Sequence, residues 1–153
     1  MKKTKLLLAA SLLSIGAFTT TIMSSCTKDD KTCNVGYEGS DCKTLSRDKF
    51  VGQWKGHEAC TLGTDDYTIT ISPSSTGDLN LVYSNVYNQS FVASGTITGP
   101  YGFSFSGTGA VTGGTATFSG NVSLDPSTGV LTSNYNIESP ASSNACTFTG
   151  TKL

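Results

Sequence analysis

From residue 50 to the C-terminus, apolar and polar side chains alternate with a period of two residues. In Tyr67–Ser72 apolar residues alternate with hydroxyl-bearing ones, and Ala116–Leu124 repeats the pattern. This is the period of a β-strand with one buried face, because successive side chains point to opposite faces of a sheet. No window of twelve residues in this region shows a sustained helical period. The alternation therefore predicts an all-β domain.

The composition excludes several other classes of protein. Gly, Ser and Thr make up about 40% of the 153 residues, and charged residues are 14%, where about 25% is usual. A coiled coil would be rich in Ala, Glu, Lys and Leu instead. The body of the chain has no Lys/Arg cluster, so nucleic-acid binding is not expected.

Turn-forming residues divide the alternating region into short segments. The spacing of about 10–15 residues is short enough for successive strands to be antiparallel neighbours. Closure of such a sheet removes its edges, which predicts a small antiparallel up-and-down barrel of seven to nine strands. A Greek-key β-sandwich is the alternative. The turn signals lie at 63–66, 72–78, 99–102, 113–114 and 125–129, and the strand candidates are Phe50–Cys60, Tyr67–Ser72, Leu79–Tyr83, Phe91–Thr98, Gly102–Ser106, Ala116–Leu124, Leu131–Ile137 and Cys146–Phe148.

Gly52-Gln53-Trp54, in the first strand candidate, resembles the G-x-W motif that opens lipocalin-like (calycin) barrels. The resemblance implies a lipocalin-like domain at 50–153 in which Trp54 closes the base of the barrel. The late arginine that covers this tryptophan in lipocalins is absent, because no arginine follows Arg47. We therefore expect apolar side chains or Lys152 to cover Trp54, the latter within cation–π reach.

The N-terminus has the organisation of an export signal. Three lysines in the first five residues precede an apolar run of about thirteen residues, Leu6–Phe18, whereas a membrane-spanning helix needs about 20. Met23-Ser24-Ser25-Cys26 resembles the lipobox of bacterial lipoproteins, with Met23 in place of the usual leucine. The resemblance implies a signal peptide at 1–25 and acylation of Cys26, for example with palmitate. The alternative is an ordinary secreted protein in which Cys26 is structural.

Two short segments separate this signal from the β domain. Residues 26–32 are polar and predict a flexible tether. Residues 33–43 contain C-x-x-G-Y-x-G-x-x-C, which resembles the C-terminal third of an EGF-like module and implies a Cys33–Cys42 disulfide. The rest of that module is missing, so calcium binding is not carried over. We interpret the hairpin as a spacer, with a receptor-binding hairpin as the alternative, and 44–49 as a connector.

The remaining cysteines also predict a disulfide. Five cysteines are an odd number for an exported chain, and a lipidated Cys26 leaves four to pair. Cys60 ends the first strand candidate and Cys146 lies in the last. These strands are neighbours in a closed meander, so the two cysteines can be bonded. A four-cysteine zinc site lacks paired C-x₂₋₄-C spacing, and no metal is expected.

The sequence gives no indication of catalysis. Its single histidine, His57, is followed by Glu58 in a strand, so the two side chains point to opposite faces. Asp65, Asp66 and Asp78 fall in predicted turns, where aspartate caps the backbone. No common catalytic or cofactor-binding motif occurs. We therefore expect neither an enzyme nor a cofactor.

Two places are candidates for binding. Glycines at inward or kinked positions could make the barrel roomy, although a filled interior is favoured for so short a domain. Tyrosines and asparagines near the middle of the chain could instead form a loop surface suited to flat polar ligands such as glycans. The alternative is that these tyrosines pack over the barrel mouth. The glycines are Gly95, Gly107, Gly109 and Gly120, and the loop candidates are Tyr83, Asn85, Tyr87, Asn88 and Tyr101.

Together these patterns predict a lipid-anchored cell-envelope β-barrel lipoprotein that binds a ligand or partner without catalysis. Its expected location is the outer membrane, facing the cell exterior or the periplasm, as a monomer. The expected partners are the membrane, through the lipid, and a small apolar or glycan ligand. The alternatives are a structural or adhesion module with a filled core and, less favoured, an inhibitor of a secreted hydrolase.

Overall fold

A computed structural model of the protein describes residues 32–153. The predicted signal peptide, the lipidation site Cys26 and the tether up to residue 31 lie outside this range. A 3₁₀ turn at Ser46–Lys49 precedes the barrel. No helix among residues 32–153 has the length and apolarity needed to cross a membrane. The strands are β1 (Tyr37–Glu38), β2 (Thr44–Leu45), β3 (Gly52–Cys60), β4 (Gly63–Pro73), β5 (Asn80–Val86), β6 (Phe91–Gly99), β7 (Gly102–Val111), β8 (Gly114–Leu124), β9 (Leu131–Glu138) and β10 (Ser143–Lys152).

Strands β3 to β10 form a closed antiparallel barrel of eight strands. Each strand pairs with the next one in the sequence, and β10 returns to pair with β3 from Cys146 opposite Cys60 to Lys152 opposite Trp54. The predicted up-and-down barrel is confirmed, and the sandwich alternative is wrong. This sheet has no free edge because the pairing of β10 with β3 gives the first and last barrel strands a second neighbour.

One predicted turn is misplaced. The sequence prediction puts a turn at 63–66, but β4 already begins at Gly63, and the reversal between β3 and β4 takes only Thr61 and Leu62. Gly63 has φ +151°, a conformation that glycine adopts easily. Asp65 and Asp66 are therefore strand residues, and Asp65 lies directly opposite Glu58 on β3.

The barrel interior is filled by aromatic rings that occupy the space above glycines. A Cβ on Gly109 would lie 2.3 Å from the ring of Phe91, and one on Gly107 would lie 2.6 Å from Phe118. The rings of Phe91 and Phe118 stack at 5.4 Å. Glycines at inward positions thus admit large rings and do not leave a central channel, which supports the filled interior.

One end of the barrel, called the base below, is closed by Trp54. This residue is 2% exposed, and its Nε1–H donates a 2.7 Å hydrogen bond to the carbonyl oxygen of Phe50. The Lys152 ammonium lies 5.5 Å from the centroid of the Trp54 ring. A Cβ on Gly52, at φ +142°, would lie 2.7 Å from the Lys152 side chain. Gly52 therefore gives Lys152 room to reach the indole, as expected for a chain without the late arginine.

Residues 32–153 contain two disulfides, Cys33–Cys42 and Cys60–Cys146. The first closes the small hairpin of β1 and β2, and the second joins the first and last barrel strands. The hairpin contacts the base of the barrel, where the Tyr37 hydroxyl donates a 3.1 Å hydrogen bond to Asp78. Kinship of the hairpin to EGF-like modules stays a prediction.

Candidate functional site

The end of the barrel opposite the base, called the mouth, contains two adjoining cavities. The turns at this end are Thr61–Leu62, residues 87–90, Thr112–Gly113 and residues 139–142. One cavity has a volume of about 250 Å³ and the other about 280 Å³. Leu62, Tyr87 and Gln89 line both, so these three residues form the wall between the two spaces.

The first cavity, called the acidic cavity below, is bordered by two carboxylates. Besides Glu58 and Asp65, its lining comes from the β3–β4 hairpin and the β5–β6 loop. The other lining residues are Cys60, Leu62, Gly63, Thr64, Tyr87 and Gln89. Glu58 and Asp65 are direct cross-strand partners, and both occupy inward positions in their strands. Two carboxylates of the same face of the sheet thus border one cavity at the mouth.

Glu58 is a buried carboxylate, only 2% exposed. The Tyr67 hydroxyl donates a 2.6 Å hydrogen bond to Glu58 Oε1, and the Tyr135 hydroxyl donates a short hydrogen bond to the same oxygen. Within residues 32–153, Glu58 Oε2 has no hydrogen-bond partner. A buried carboxylate is costly unless its oxygens are hydrogen-bonded or solvated. Oε1 accepts both tyrosine hydrogen bonds, whereas Oε2 is not fully buried and is left open to the cavity.

The tyrosines around Glu58 stay protonated. Burial, and then the hydrogen bond to Glu58, raises the pKa of Tyr67. Burial also raises the pKa of Tyr135, with the neighbouring Tyr67 and Glu58 adding to the effect. Both hydroxyls are therefore fixed donors, and they hold the Glu58 carboxyl group in place.

Asp65 is exposed at the rim of the acidic cavity. The side-chain amide of Asn88 donates a 2.8 Å hydrogen bond to Asp65 Oδ2, and the backbone N–H of Asp66 donates to Oδ1. These contacts orient the Asp65 carboxylate but carry no positive charge. Like charges directly opposite each other on one face of a sheet are destabilising, so the Glu58–Asp65 pair costs stability in the protein alone.

The second cavity, called the apolar cavity below, is lined mainly by hydrophobic side chains. They come from β6 to β9, and side chains of the β9–β10 turn complete the rim. Asn144, 4% exposed, accepts a hydrogen bond from the Leu62 N–H and donates one to the Tyr87 hydroxyl. It thereby fixes two residues of the shared wall. The apolar lining residues are Phe91, Val111, Ala116 and Ile137.

The loop that supplies Tyr87 is strained. Asn85, Tyr87, Asn88 and Ser90 all have positive φ, with Tyr87 at +56°. A left-handed conformation is uncommon for residues other than glycine and unfavourable for bulky ones. Such strain concentrates at ligand sites, where the surrounding structure maintains it. The strain at Tyr87 thus lies in the wall between the two cavities.

The structure divides the loop candidates predicted from the sequence. Tyr83 is fully buried in the core, where burial raises the pKa of its hydroxyl, so its place in a loop surface is wrong. Tyr87 and Asn88 lie at the mouth. For Tyr87 this position agrees with the alternative prediction, in which the tyrosines pack over the barrel mouth. Asn85 holds the loop by donating a hydrogen bond to the Thr68 carbonyl. Tyr101, 43% exposed, lies at the base, and the centroid of its ring is 3.9 Å from the Lys49 ammonium.

Sequence reasoning missed Glu58 and Asp65. It considered Glu58 only as a neighbour of His57, which is exposed and lies 2.8 Å from Asp66 on the outer face. The available signal was strand parity, because Glu58 shares its parity with Trp54 and Cys60. A charged residue at an inward position of a strand is informative, since charged residues are rarely buried without a partner.

A metal centre is not favoured at this place. The side-chain ligand atoms of Glu58, Cys60 and Cys146 lie within 4.8 Å of one another. The two sulfurs are bonded to each other in the disulfide, and a metal-binding thiolate is therefore not available.

Comparison with known proteins supports the fold alone. No protein family matches the sequence, and no curated protein does. The solved structure of EF1p2_mFAP2b bound to DFHBI is similar, with a TM-score of 0.53 and 14% sequence identity. The similarity covers 72% of this chain and 100% of that chain. At this identity the barrel is what the two chains have in common.

Proposed function

We propose that this protein is a lipid-anchored β-barrel of the bacterial cell envelope that binds a small ligand at its mouth without catalysing a reaction. The observation that carries the proposal is the pair of adjoining cavities beneath a strained tyrosine loop. Their combined lining, apolar on one side and acidic on the other, is typical of small-molecule sites, which are mostly apolar with a few oriented polar groups. The binding of DFHBI by a barrel of similar fold is consistent with this use of the architecture.

The absence of catalysis is part of the proposal. Glu58 is held by two tyrosine hydroxyls whose raised pKa values keep them protonated, and His57 points away from the cavities on the outer face. A general base must itself lie within hydrogen-bond reach of the proton that it removes from the reacting group. The side chains at the mouth are therefore arranged to bind a molecule. The anchor at Cys26 would hold them at the outer membrane.

A structural or adhesion module is the second candidate. It is favoured by the filled interior, where aromatic rings occupy the space above glycines. In that case the cavities at the mouth would be surface irregularities and would retain no small molecule.

Native mass spectrometry of the full chain, extracted from bacterial membranes in mild detergent, separates these candidates. We expect a bound small molecule in the wild type and its loss in Ala116→Leu, because Ala116 is fully buried and lines the apolar cavity. Thr117→Leu is the matched control, since Thr117 is exposed on the outer face of the same strand. A wild-type protein that carries no adduct and shows no binding in small-molecule screens would favour the structural module.

A further inference from the structure

Among residues 32–153, the Asp, Glu, Lys and Arg side chains around the mouth are all acidic. Glu58 and Asp65 border the acidic cavity, and Glu138 ends β9 at the same end of the barrel. The five Lys and Arg residues within 32–153 lie elsewhere. They are Lys43, Arg47 and Lys49 before the barrel, Lys55 on the outer face of β3 and Lys152 at the end of β10.

Nothing in the described part of the chain neutralises the Glu58–Asp65 pair. The groups that contact these carboxylates are tyrosine hydroxyls, the Asn88 amide and a backbone N–H, all of them uncharged donors. Glu58 Oε2 has no donor among residues 32–153. The residue as a whole is only 2% exposed, but Oε2 itself is not fully buried and lies open to the cavity that Glu58 lines. An N–H donor with a positive charge would satisfy this oxygen and remove the repulsion between the two carboxylates.

The neighbouring space decides what kind of cation fits. The apolar cavity adjoins the acidic one along Leu62, Tyr87 and Gln89, so a molecule that reaches across these three side chains contacts both. A bare metal ion would leave the apolar cavity unused, whereas an organic cation with an apolar body would fill it. Tyr87 stands between the two spaces with its ring available for contact, and aromatic faces also attract organic cations.

We infer that the ligand is a small amphipathic amine, whose ammonium group lies between Glu58 and Asp65 and whose apolar part lies against Phe91 and Ile137. This inference rests on the proposed function and adds the chemical class of the ligand. Negative charge concentrated in a cleft also raises the local concentration of cations. The site therefore selects its ligand by charge at one end and by apolar contact at the other.

The test compares 2-phenylethylamine with its uncharged analogue 2-phenylethanol by NMR titration of the full chain. We expect the amine to bind at least about tenfold more tightly. Glu58→Gln should weaken binding of the amine by about tenfold or more and leave binding of the alcohol nearly unchanged. Asp65→Asn should act in the same direction and, because Asp65 is exposed, keeps the test valid if Glu58→Gln does not fold.

Asp66→Asn is the matched control. It removes one carboxylate from the adjacent position of the same strand, but Asp66 faces outward and contacts His57. We expect it to change binding of the amine by less than about twofold, because an exposed charge outside the cavity is screened by solvent and salt.

Three results would overturn the inference. Equal binding of amine and alcohol, unaffected by Glu58→Gln, would show a ligand site without charge selection and leave the proposed function intact. Calcium chloride displacing the amine at equal concentration would assign the carboxylates to a metal ion. Binding of neither probe would reject the amine class, and native mass spectrometry would then show whether the proposed function fails with it.

Discussion

Trp54 is the single tryptophan of the chain and the largest side chain buried at the base. We predict that Trp54→Ala lowers the free energy of unfolding by about 3–5 kcal/mol, as aromatic deletions in cores do. Chemical denaturation measures this change. Native tryptophan fluorescence should also be blue-shifted and poorly quenched by acrylamide. Val92→Ala is the control, because Val92 is 54% exposed, and it should unfold like the wild type.

Three buried tyrosines give the protein an alkaline limit. Burial raises the pKa values of Tyr67, Tyr83 and Tyr135 above the ordinary value near 10. In the unfolded chain these hydroxyls ionise near pH 10, whereas in the native state they remain protonated. Their contribution to stability is therefore complete below about pH 10 and is lost as the pH rises further.

Absorbance at 295 nm during an alkaline titration tests this expectation. Of the six tyrosines, Tyr67, Tyr83 and Tyr135 should ionise only when the barrel unfolds, in one cooperative step. Tyr83→Phe should remove one residue from that step. Gradual ionisation of all the tyrosines with the fold retained would contradict the buried arrangement.

At the level of single residues, the sequence supported predictions about Trp54 but not about Glu58. The G-x-W resemblance and the absence of a late arginine predicted a cover for the indole from apolar side chains or from Lys152, and the Lys152 ammonium lies 5.5 Å from the ring centroid. The carboxylate site is built from three strands, because Glu58 lies on β3 and its two hydrogen-bond donors, Tyr67 and Tyr135, lie on β4 and β9. The register between strands decides which side chains meet in such a contact. The alternation of residues within one strand does not reveal that register.

Glycines at inward positions set how closely the strands approach one another. A Cβ on Gly120 would lie 2.2 Å from the Asn134 carbonyl oxygen and 2.4 Å from the Tyr135 Cβ. Because the first of these is a backbone atom, the clash cannot be relieved by a rotamer change. We predict that Gly120→Ala lowers the free energy of unfolding by about 1–3 kcal/mol, the usual effect of overpacking.

Gly99→Ala is the matched control for Gly120→Ala. Gly99 ends β6, and nothing lies within 4 Å of an added Cβ there. The substitution should be neutral or slightly stabilising, because alanine restricts the unfolded chain more than glycine does. Equal melting temperatures for the two variants would show that the strands at Gly120 can separate without cost.

The Cys60–Cys146 disulfide ties together the two strands that close the barrel. It spans 86 residues of sequence, whereas Cys33–Cys42 spans 9. Constraint of the unfolded chain increases with the length of the enclosed loop, so removal of the long-range bond should cost about 2–5 kcal/mol. The double variant Cys60→Ser/Cys146→Ser should therefore melt well below the Cys33→Ser/Cys42→Ser variant. The opposite order would mean that the hairpin, and not barrel closure, limits stability.

The strands were more predictable than their ends. All eight alternating segments are barrel strands, because a buried face imposes period two on each of them. The turn at 63–66 was misplaced because Asp65 and Asp66 favour turns, yet the tight Thr61–Leu62 reversal carries them into β4. Residue type alone does not distinguish a polar residue that faces a cavity from one in a turn. The sequence therefore predicted neither the start of β4 nor the place of Asp65 in the acidic cavity.

Across the whole molecule, the two ends of the barrel differ in chemistry. The base is closed by Trp54, with Lys152 over the indole and the disulfide-bonded hairpin in contact. The mouth contains the cavities and the unpaired carboxylates. The hairpin precedes the barrel and contacts its base.

The proposed anchor itself predicts how the chain is processed. Both disulfides within residues 32–153 use the other four cysteines, which is consistent with a separate role for Cys26. Cys26→Ser should leave an uncut precursor and abolish incorporation of labelled palmitate. Cys60→Ser/Cys146→Ser serves as the control, because it alters the barrel but should still be labelled and cut. If the Cys26 variant is processed and lipidated normally, the lipobox assignment is wrong. The odd cysteine would then need another partner, such as a second copy of the chain.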